Sequence, residues 1–226
     1  MTAAIRSVAS GLVNVDRVTF RVQIADQLRQ AIISGSIAPG AVVRETELAV
    51  RFGVSRGPLR EAMSLLGEEG LLVSVPYTGT RVATVAMADV SEIYSLRTAL
   101  ESLAFRQIWS NRDAAFRLEL GRRHQTLQQS LSAADRFVST MAEVHLHSLV
   151  YEMCGHKLLL ETWRRIAGRL QFYLAVHQTA HSRSGPLIDA HDRYVDLATG
   201  NDLDIMLAEI EHHMKRGVAR LESFLS

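Results

Sequence analysis

The sequence predicts a mainly α-helical chain in two parts: three short helices with a small β-hairpin, then an all-α helical bundle of about six to seven helices. Three observations support this division. Apolar residues recur at helical spacing over most of the chain, β-branched runs are confined to residues 71–85, and all nine histidines fall between His124 and His213. With 226 residues, 47% of them apolar, there is ample material for a core.

Residues 1–18 show no periodicity and read as a mobile arm. From Thr19 the positions Val22, Ile24, Ala25, Leu28, Ile32 and Ile33 form a helical stripe, stopped by Gly35 and Pro39-Gly40. A second helix covers about 45–52, with Leu48 and Ala49 inward. Ser55, after the Gly53 turn, is suited to cap a third helix through about Leu66, and Pro58 is tolerated in its first turn. Residues 71–75 and 80–85 then read as two strands joined at Pro76-Tyr77-Thr78-Gly79. Helix, helix, helix and hairpin, residues 19–85, is the order of a winged helix-turn-helix.

The second part, 86–226, begins with a helix capped by Asp89 and carrying Val90, Ile93, Leu96, Leu100 and Leu103 on one face. Further helices are expected at about 113–132, 135–154, 157–179, 186–199 and 202–225, with caps or breakers at Asp113, Asp135, Gly155, Gly185-Pro186 and Gly200-Asn201-Asp202.

Composition excludes several classes. A single cysteine, Cys154, can form neither an internal disulfide nor a thiolate metal cluster, which fits a reducing compartment. No apolar run reaches the roughly 18 residues that span a bilayer, and the first residues lack a secretory apolar block, so a cytoplasmic protein without membrane contact is expected. The net charge of +1 conceals nine arginines against seven acids in residues 1–85.

Arg56 and Arg60, four residues apart, share the exposed start of the third helix, while Leu59, Met63 and Leu66 face inward. Such a helix can enter the major groove of double-stranded DNA, where an arginine pairs with guanine N7 and O6. Gly57 leaves the backbone open to a phosphate. Two arginines on a helix are often only a solvated face, but turn glycine, arginine-bearing helix and hairpin together favour DNA binding.

The run Glu45 to Ala83 resembles the winged helix of the GntR family of bacterial transcription regulators. Val90 to Ala104 (VSEIYSLRTALESLA) is similar to the opening of the FCD effector domain in the FadR-type subfamily. The resemblance covers nearly all of the chain after residue 18. It implies that Arg56 and Arg60 read or clamp DNA beside Ser55 and Gly57, and that the wing tip, Thr78 and Gly79, meets the adjacent minor groove. Many relatives carry an arginine where Thr46 stands, and Arg44 lies two residues earlier. Arg44 and Thr46 are both candidates for that contact.

The resemblance also implies a metal site formed by an acid and a histidine four apart plus two further histidines. Periodicity selects which residues could serve. At roughly 100° per residue Glu143 and His147 share a face that His145 does not. His191 falls in the stripe of Leu187, Ile188, Tyr194, Val195 and Ala198, and His213 flanks the seam of Leu203, Leu207, Ile210, Met214 and Leu221 while His212 points away. A hairpin at Gly200-Asn201-Asp202 would bring His191 and His213 to similar heights. One carboxylate and three imidazoles suit a divalent transition metal such as Zn²⁺, Ni²⁺ or Mn²⁺. Relatives usually have aspartate in place of Glu143.

A small organic acid is the implied effector, with Arg97 the cation that meets it and Arg165 and Arg169 further candidates. For Arg97 an intrahelical pair with Glu101 is the competing reading. His156 is assigned to a helix end. The resulting expectation is a homodimeric, ligand-responsive regulator, a repressor in most relatives, on a near-palindromic operator. The alternatives are a metal-dependent enzyme acting on a small carboxylate, which would need an acid or base not evident here, and a direct metal sensor.

Overall fold

A computed structural model describes residues 17–131, 135–180 and 189–225. The head comprises α1 (Arg17–Ile33), β1 (Val42–Val43), α2 (Glu45–Phe52), α3 (Arg56–Glu68), β2 (Leu72–Val75) and β3 (Gly79–Val82). The helical part comprises α4 (Met87–Ile108), a short turn of 3₁₀ helix, α5 (Ala114–Ser130), α6 (Arg136–Met153), α7 (Lys157–Ala180), α8 (Asp192–Thr199) and α9 (Leu203–Leu225).

In the head, α1 packs on α3 through Ile24, Ala25, Leu28 and Ile32 against Leu59, Ala62, Met63 and Leu66, all buried. The expected hairpin forms, with Leu72 opposite Val82 and Val75 opposite Gly79. It gains a third strand that periodicity could not supply: Val42–Val43 pairs antiparallel with β3, giving the order β1-β3-β2. Two residues after Pro39-Gly40 carry no readable period. Residues 1–16 of the expected mobile arm lie outside the described residues; Arg17 and Val18 already belong to α1.

Two expectations for the bundle are corrected, and a third falls partly outside the described residues. Asp89 is not the cap of α4, which starts two residues earlier at Met87. Its carboxylate instead reaches back and accepts from the Ala86 N–H at 3.3 Å. The inward face of α4 is not the leucine stripe: Leu96 and Leu103 are exposed, and Val90, Ile93, Tyr94, Arg97, Glu101, Ala104, Phe105 and Ile108 are buried. Two charged residues turn inward because partners from other helices await them. The helix expected over 186–199 is described only from Asp192; Gly185, Pro186, Leu187 and Ile188 lie outside the described residues.

Other signals hold. Asp113 and Asp135 cap α5 and α6, accepting from Phe116 N–H at 2.9 Å and from Phe137 N–H at 2.8 Å. The His156 Nδ1 accepts from the Leu159 N–H at 3.2 Å, so this histidine does serve a helix end. The short α8 is tied at both ends to the α5 region. Arg112 Nη1 donates to the Gly200 carbonyl at 3.1 Å and Arg117 Nη1 to that of Thr199 at 2.6 Å, cations at a helix C-terminus. At its start, Asp192 Oδ1 lies 3.1 Å from His124 Nε2. These ties fix the position of His191, which immediately precedes α8.

Head and bundle share one apolar core, with α1 on α7. Arg29 holds Glu69 through two hydrogen bonds of 2.8 and 2.7 Å, and the Glu69 side chain lies over Gly168 of α7. Arg169 lies over Gly70, whose φ of +73° suits glycine; a Cβ there would sit 2.5 Å from Arg169 Nε. We expect Gly70→Ala to destabilise the protein by about 1–3 kcal/mol, a fall in Tm of several degrees by calorimetry. Adding Arg169→Ala should restore only the steric share, because the backbone strain remains.

Candidate metal centre and nucleic-acid interface

The head presents its charged residues on short, well-bounded elements. Gly53 ends α2 in the left-handed conformation, φ +63°, its N–H directed to the Ala49 and Val50 carbonyls. Ser55 occupies the N-cap position of α3, but its hydroxyl makes no capping hydrogen bond, which corrects the role expected for it as a cap. Arg44, Thr46, Ser55, Arg56, Gly57, Arg60, Thr78 and Gly79 are all exposed. A Cβ on Gly57 would meet nothing within 4 Å, so the space beside the backbone is open.

Two of the arginines are already paired. Arg60 Nε donates to Glu45 Oε2 at 2.8 Å and Arg44 Nη1 to Glu47 Oε1 at 2.8 Å. Both pairs are exposed, where such bridges are worth only about 0–1 kcal/mol, so a phosphate or a guanine can displace the carboxylate. Tyr77 was absent from the sequence-based set. It is fully exposed at the wing tip with φ 64°, beside Thr78 and Gly79. A left-handed turn residue between Pro76 and Thr78 has no periodic signature.

In the helical part, His147 of α6, His191 before α8 and His213 of α9 present nitrogens that all lie within 4.8 Å of one another. Ring centroids are separated by 5.2 Å for His147–His191, 5.2 Å for His147–His213 and 4.8 Å for His191–His213. Glu143 is buried one turn before His147, with Oε1 3.7 Å from His191 Nε2. It stands beside the histidine cluster rather than within it.

The arrangement fits a metal ion on its own chemistry. His147 is buried, its Nδ1 lies 3.1 Å from Glu101 Oε1, and its Nε2 is buried without a hydrogen-bond partner. With Nδ1–H donating to the carboxylate, Nε2 carries a lone pair into the cluster, the outer-sphere arrangement common for metal-bound imidazole. Burial pushes the His147 imidazole down, helped by the Arg97 charge, and pushes His213 well below its ordinary value, helped by His191 and His147. Neutral imidazoles are what a cation requires.

Glu101 is the residue whose importance the sequence concealed. It is fully buried and accepts hydrogen bonds from Arg97 Nε at 3.1 Å, Tyr194 Oη at 2.6 Å and Tyr151 Oη at 3.3 Å, besides its contact with His147. Burial alone would favour the acid, but His147, Arg97 and these hydrogen bonds hold its carboxyl well below the usual range. Burial pushes both tyrosines well above theirs, so they stay donors. The available signal was the i, i+4 spacing of two opposite charges on the face of α4 that also carries Val90, Ile93, Tyr94, Ala104 and Phe105.

Arg97 is buried and pairs with Glu101, the competing reading for this residue. Its guanidinium lies 5.8 Å from the Trp163 ring, and Nη2 is buried without a hydrogen-bond partner. Arg165 and Arg169 are exposed on α7, and Arg169 packs on Gly70 of the head. The structure does not bring them to the histidines, because the inward face of α7 is taken by Trp163, Leu170, Gln171 and Leu174. Among the described residues no helix is long and apolar enough to cross a membrane.

Comparison with known proteins agrees with this anatomy. Residues 20–82 match the bacterial regulatory proteins of the gntR family, and residues 92–216 match the FCD domain. The chain is 30% identical over 201 residues, 88% of its length and 87% of the other, to a protein of Paenarthrobacter nicotinovorans named "Probable D-xylose utilization operon transcriptional repressor". It is 24% identical over 204 residues, 88% of its length and 84% of the other, to the gluconate operon transcriptional repressor of Bacillus licheniformis. A GntR transcriptional regulator from Rhodococcus sp. RHA1 shares the fold, with a TM-score of 0.75 at 22% identity over 90% of this chain and 97% of that one. With both parts matched in order, the chain belongs to the gntR family of bacterial regulatory proteins, joins a DNA-binding head to an FCD domain, and is a transcription regulator rather than an enzyme.

Proposed function

We propose that the chain is a cytoplasmic, homodimeric repressor whose head, residues 19–85, binds a near-palindromic operator. In this reading residues 86–226 hold a divalent transition metal and a small organic acid. Arg56 and Arg60 reach base edges or phosphates, Arg44 or Thr46 and the Ser55-Gly57 turn flank them, and the wing tip at Thr78 and Gly79 lies in the adjacent minor groove. His147, His191 and His213 hold the metal, Zn²⁺, Ni²⁺ or Mn²⁺, with Glu143 as a fourth donor after a small shift. The bound ion supplies a positive centre with open coordination positions, and Arg97 Nη2 supplies a second cation for a carboxylate. The relatives named as repressors of gluconate and D-xylose operons support a metabolite signal.

The observation that carries this reading is the buried, unpaired Nε2 of His147 among three converging imidazoles. Leaving such a group unsatisfied costs about 1–3 kcal/mol unless something completes it. Metal analysis of the purified protein should find about one ion per chain. Adding Zn²⁺ to chelator-treated protein should raise Tm, by about 2.7 kcal/mol of stabilisation at a hundredfold excess over Kd. His147→Ala and His213→Ala should each abolish that rise. DNA retardation should then respond to organic acids only in the metal-loaded protein; a response to metal alone would make the ion itself the signal and overturn the effector half of the reading.

A further inference from the structure

Helix α4 carries apolar side chains on two opposite faces. Val90, Ile93, Tyr94, Ala104, Phe105 and Ile108 are buried with Arg97 and Glu101 on the side that faces the interior. On the other side Glu92, Leu96, Ala99, Leu103 and Arg106 are exposed, and at about 100° per residue they fall within an arc of about 80°. Their spacing of four, three, four and three residues is that of the narrow seam along which two helices wind round each other. Leu96 and Leu103, 43% and 38% exposed, form its apolar centre with Ala99 between them. The leucine stripe visible in the sequence thus faces away from the core of its own chain, where covering it requires another surface.

The charges at the two ends of the seam identify that surface. Glu92 and Arg106 each lie seven residues from Ala99, one on either side. Among the described residues neither takes part in a salt bridge; the ion pair of α4, Arg97 with Glu101, belongs to the inward face. A parallel copy of α4 would set Glu92 against Glu92 and Arg106 against Arg106, like charges on like. An antiparallel copy reverses this: about a two-fold axis beside Ala99, Glu92 meets Arg106, Leu96 meets Leu103, and each pair occurs twice. The small side chain of Ala99 lets the two backbones approach where they cross. One helix face offers less than the roughly 1,200–2,000 Å² that a stable interface buries. Beside the seam, however, α4 and α9 leave a groove of about 510 Å³, lined by Ser95 and Thr98 on α4 and by Met214, Val218 and Ala219 on α9, which continues the surface onto a second helix.

We propose that this surface is the dimer interface: two copies pack α4 against α4 in antiparallel register about Ala99, with the α4–α9 groove at its margin. This rests on the homodimeric reading given above and adds the face, the direction and the residues in register. The helix whose inner face holds Arg97 and Glu101 then holds the second copy on its outer face.

Sedimentation equilibrium of the full-length protein at low ionic strength tests the interface. The wild type should be a dimer, and Leu96→Asp with Leu103→Asp should raise its dissociation constant roughly a hundredfold or more without changing the circular dichroism spectrum. Glu92→Arg, which sets like charges together twice, should weaken the dimer roughly three- to tenfold, and adding Arg106→Glu should restore it. In a Cys154→Ser background, Ala99→Cys should join the two chains through a short bismaleimide, while Leu118→Cys on α5 should not. A dimer that tolerates both aspartates, that the charge reversal does not restore, or that Ala99→Cys does not cross-link overturns the antiparallel α4 interface but leaves the homodimer standing. A wild-type chain that is monomeric overturns both.

Discussion

Replacing Arg56 and Arg60 together by alanine should abolish retardation of the protein's own promoter DNA while leaving Tm and the circular dichroism spectrum unchanged. Both side chains are exposed, and neither contributes to the apolar core of α3, which is made by Leu59, Ala62, Met63 and Leu66. A bidentate arginine–guanine contact carries about 1–3 kcal/mol, so each single substitution should cost roughly 10- to 100-fold in affinity. The two singles need not be alike. Arg60 is held by Glu45 at 2.8 Å, whereas no ion pair to Arg56 is present among the described residues. If Arg56 contacts a phosphate, its loss should weaken all sequences equally and reduce the salt dependence; if Arg60 reads a base, its loss should relax preference at one operator position. Unchanged DNA affinity in the double variant would show that the head binds through another surface.

Helix α7 touches both the interior and the head. On α7, Trp163 stacks on Tyr151 with rings 4.4 Å apart and faces Arg97, inside the site. Less than two turns further on, Gly168 lies under the Glu69 side chain and Arg169 over Gly70, at the junction of α3 and β2. Under the proposed function, a shift of α7 on occupation of the interior would bear on the end of the helix that carries Arg56 and Arg60. Only a ligand with different affinity for the two positions of α7 can drive such a shift.

What could be read from the sequence follows the range of the signal. The α1 stripe, apart from Val22, which is exposed, the Gly53 turn, the aspartate caps of α5 and α6 and the helix-end role of His156 are local, set by residues within one or two turns, and each appears in the structure. Facing arguments for His147 and His213 depended on single helices of regular period, and both side chains reach the cluster. The misses involve partners far along the chain. Strand β1 exists because β3, some forty residues later, offers it a ladder. Leu96 and Leu103 of α4 lost the inward face to Arg97 and Glu101 because His147, Tyr151 and Tyr194 satisfy those charges from other helices. His191 joins the cluster from a loop position held by the ties of α8 to the α5 region, not from the middle of a helical stripe.

The same interior network sets the largest stability effect expected. Glu101→Ala would leave the Arg97 guanidinium buried without its carboxylate, remove the anchor of His147 Nδ1, and strip two tyrosine hydroxyls of their acceptor. Breaking a buried ion pair from one side costs about 3–5 kcal/mol. For a chain of this size that is a fall in Tm of roughly 6–20 °C by scanning calorimetry of the metal-free protein. Glu101→Gln keeps the volume and some hydrogen bonds but not the charge, and should fall between the two. Because folding holds the Glu101 carboxyl well below its unfolded value of about 4.3, its contribution is present above that pH and lost as pH falls toward the folded value. The gap between wild type and Glu101→Gln should therefore be widest near neutrality and narrow progressively below about pH 4. A Glu101→Ala variant that melts within a degree or two of wild type would mean that water reaches Arg97, and that the interior is open rather than a closed polar core.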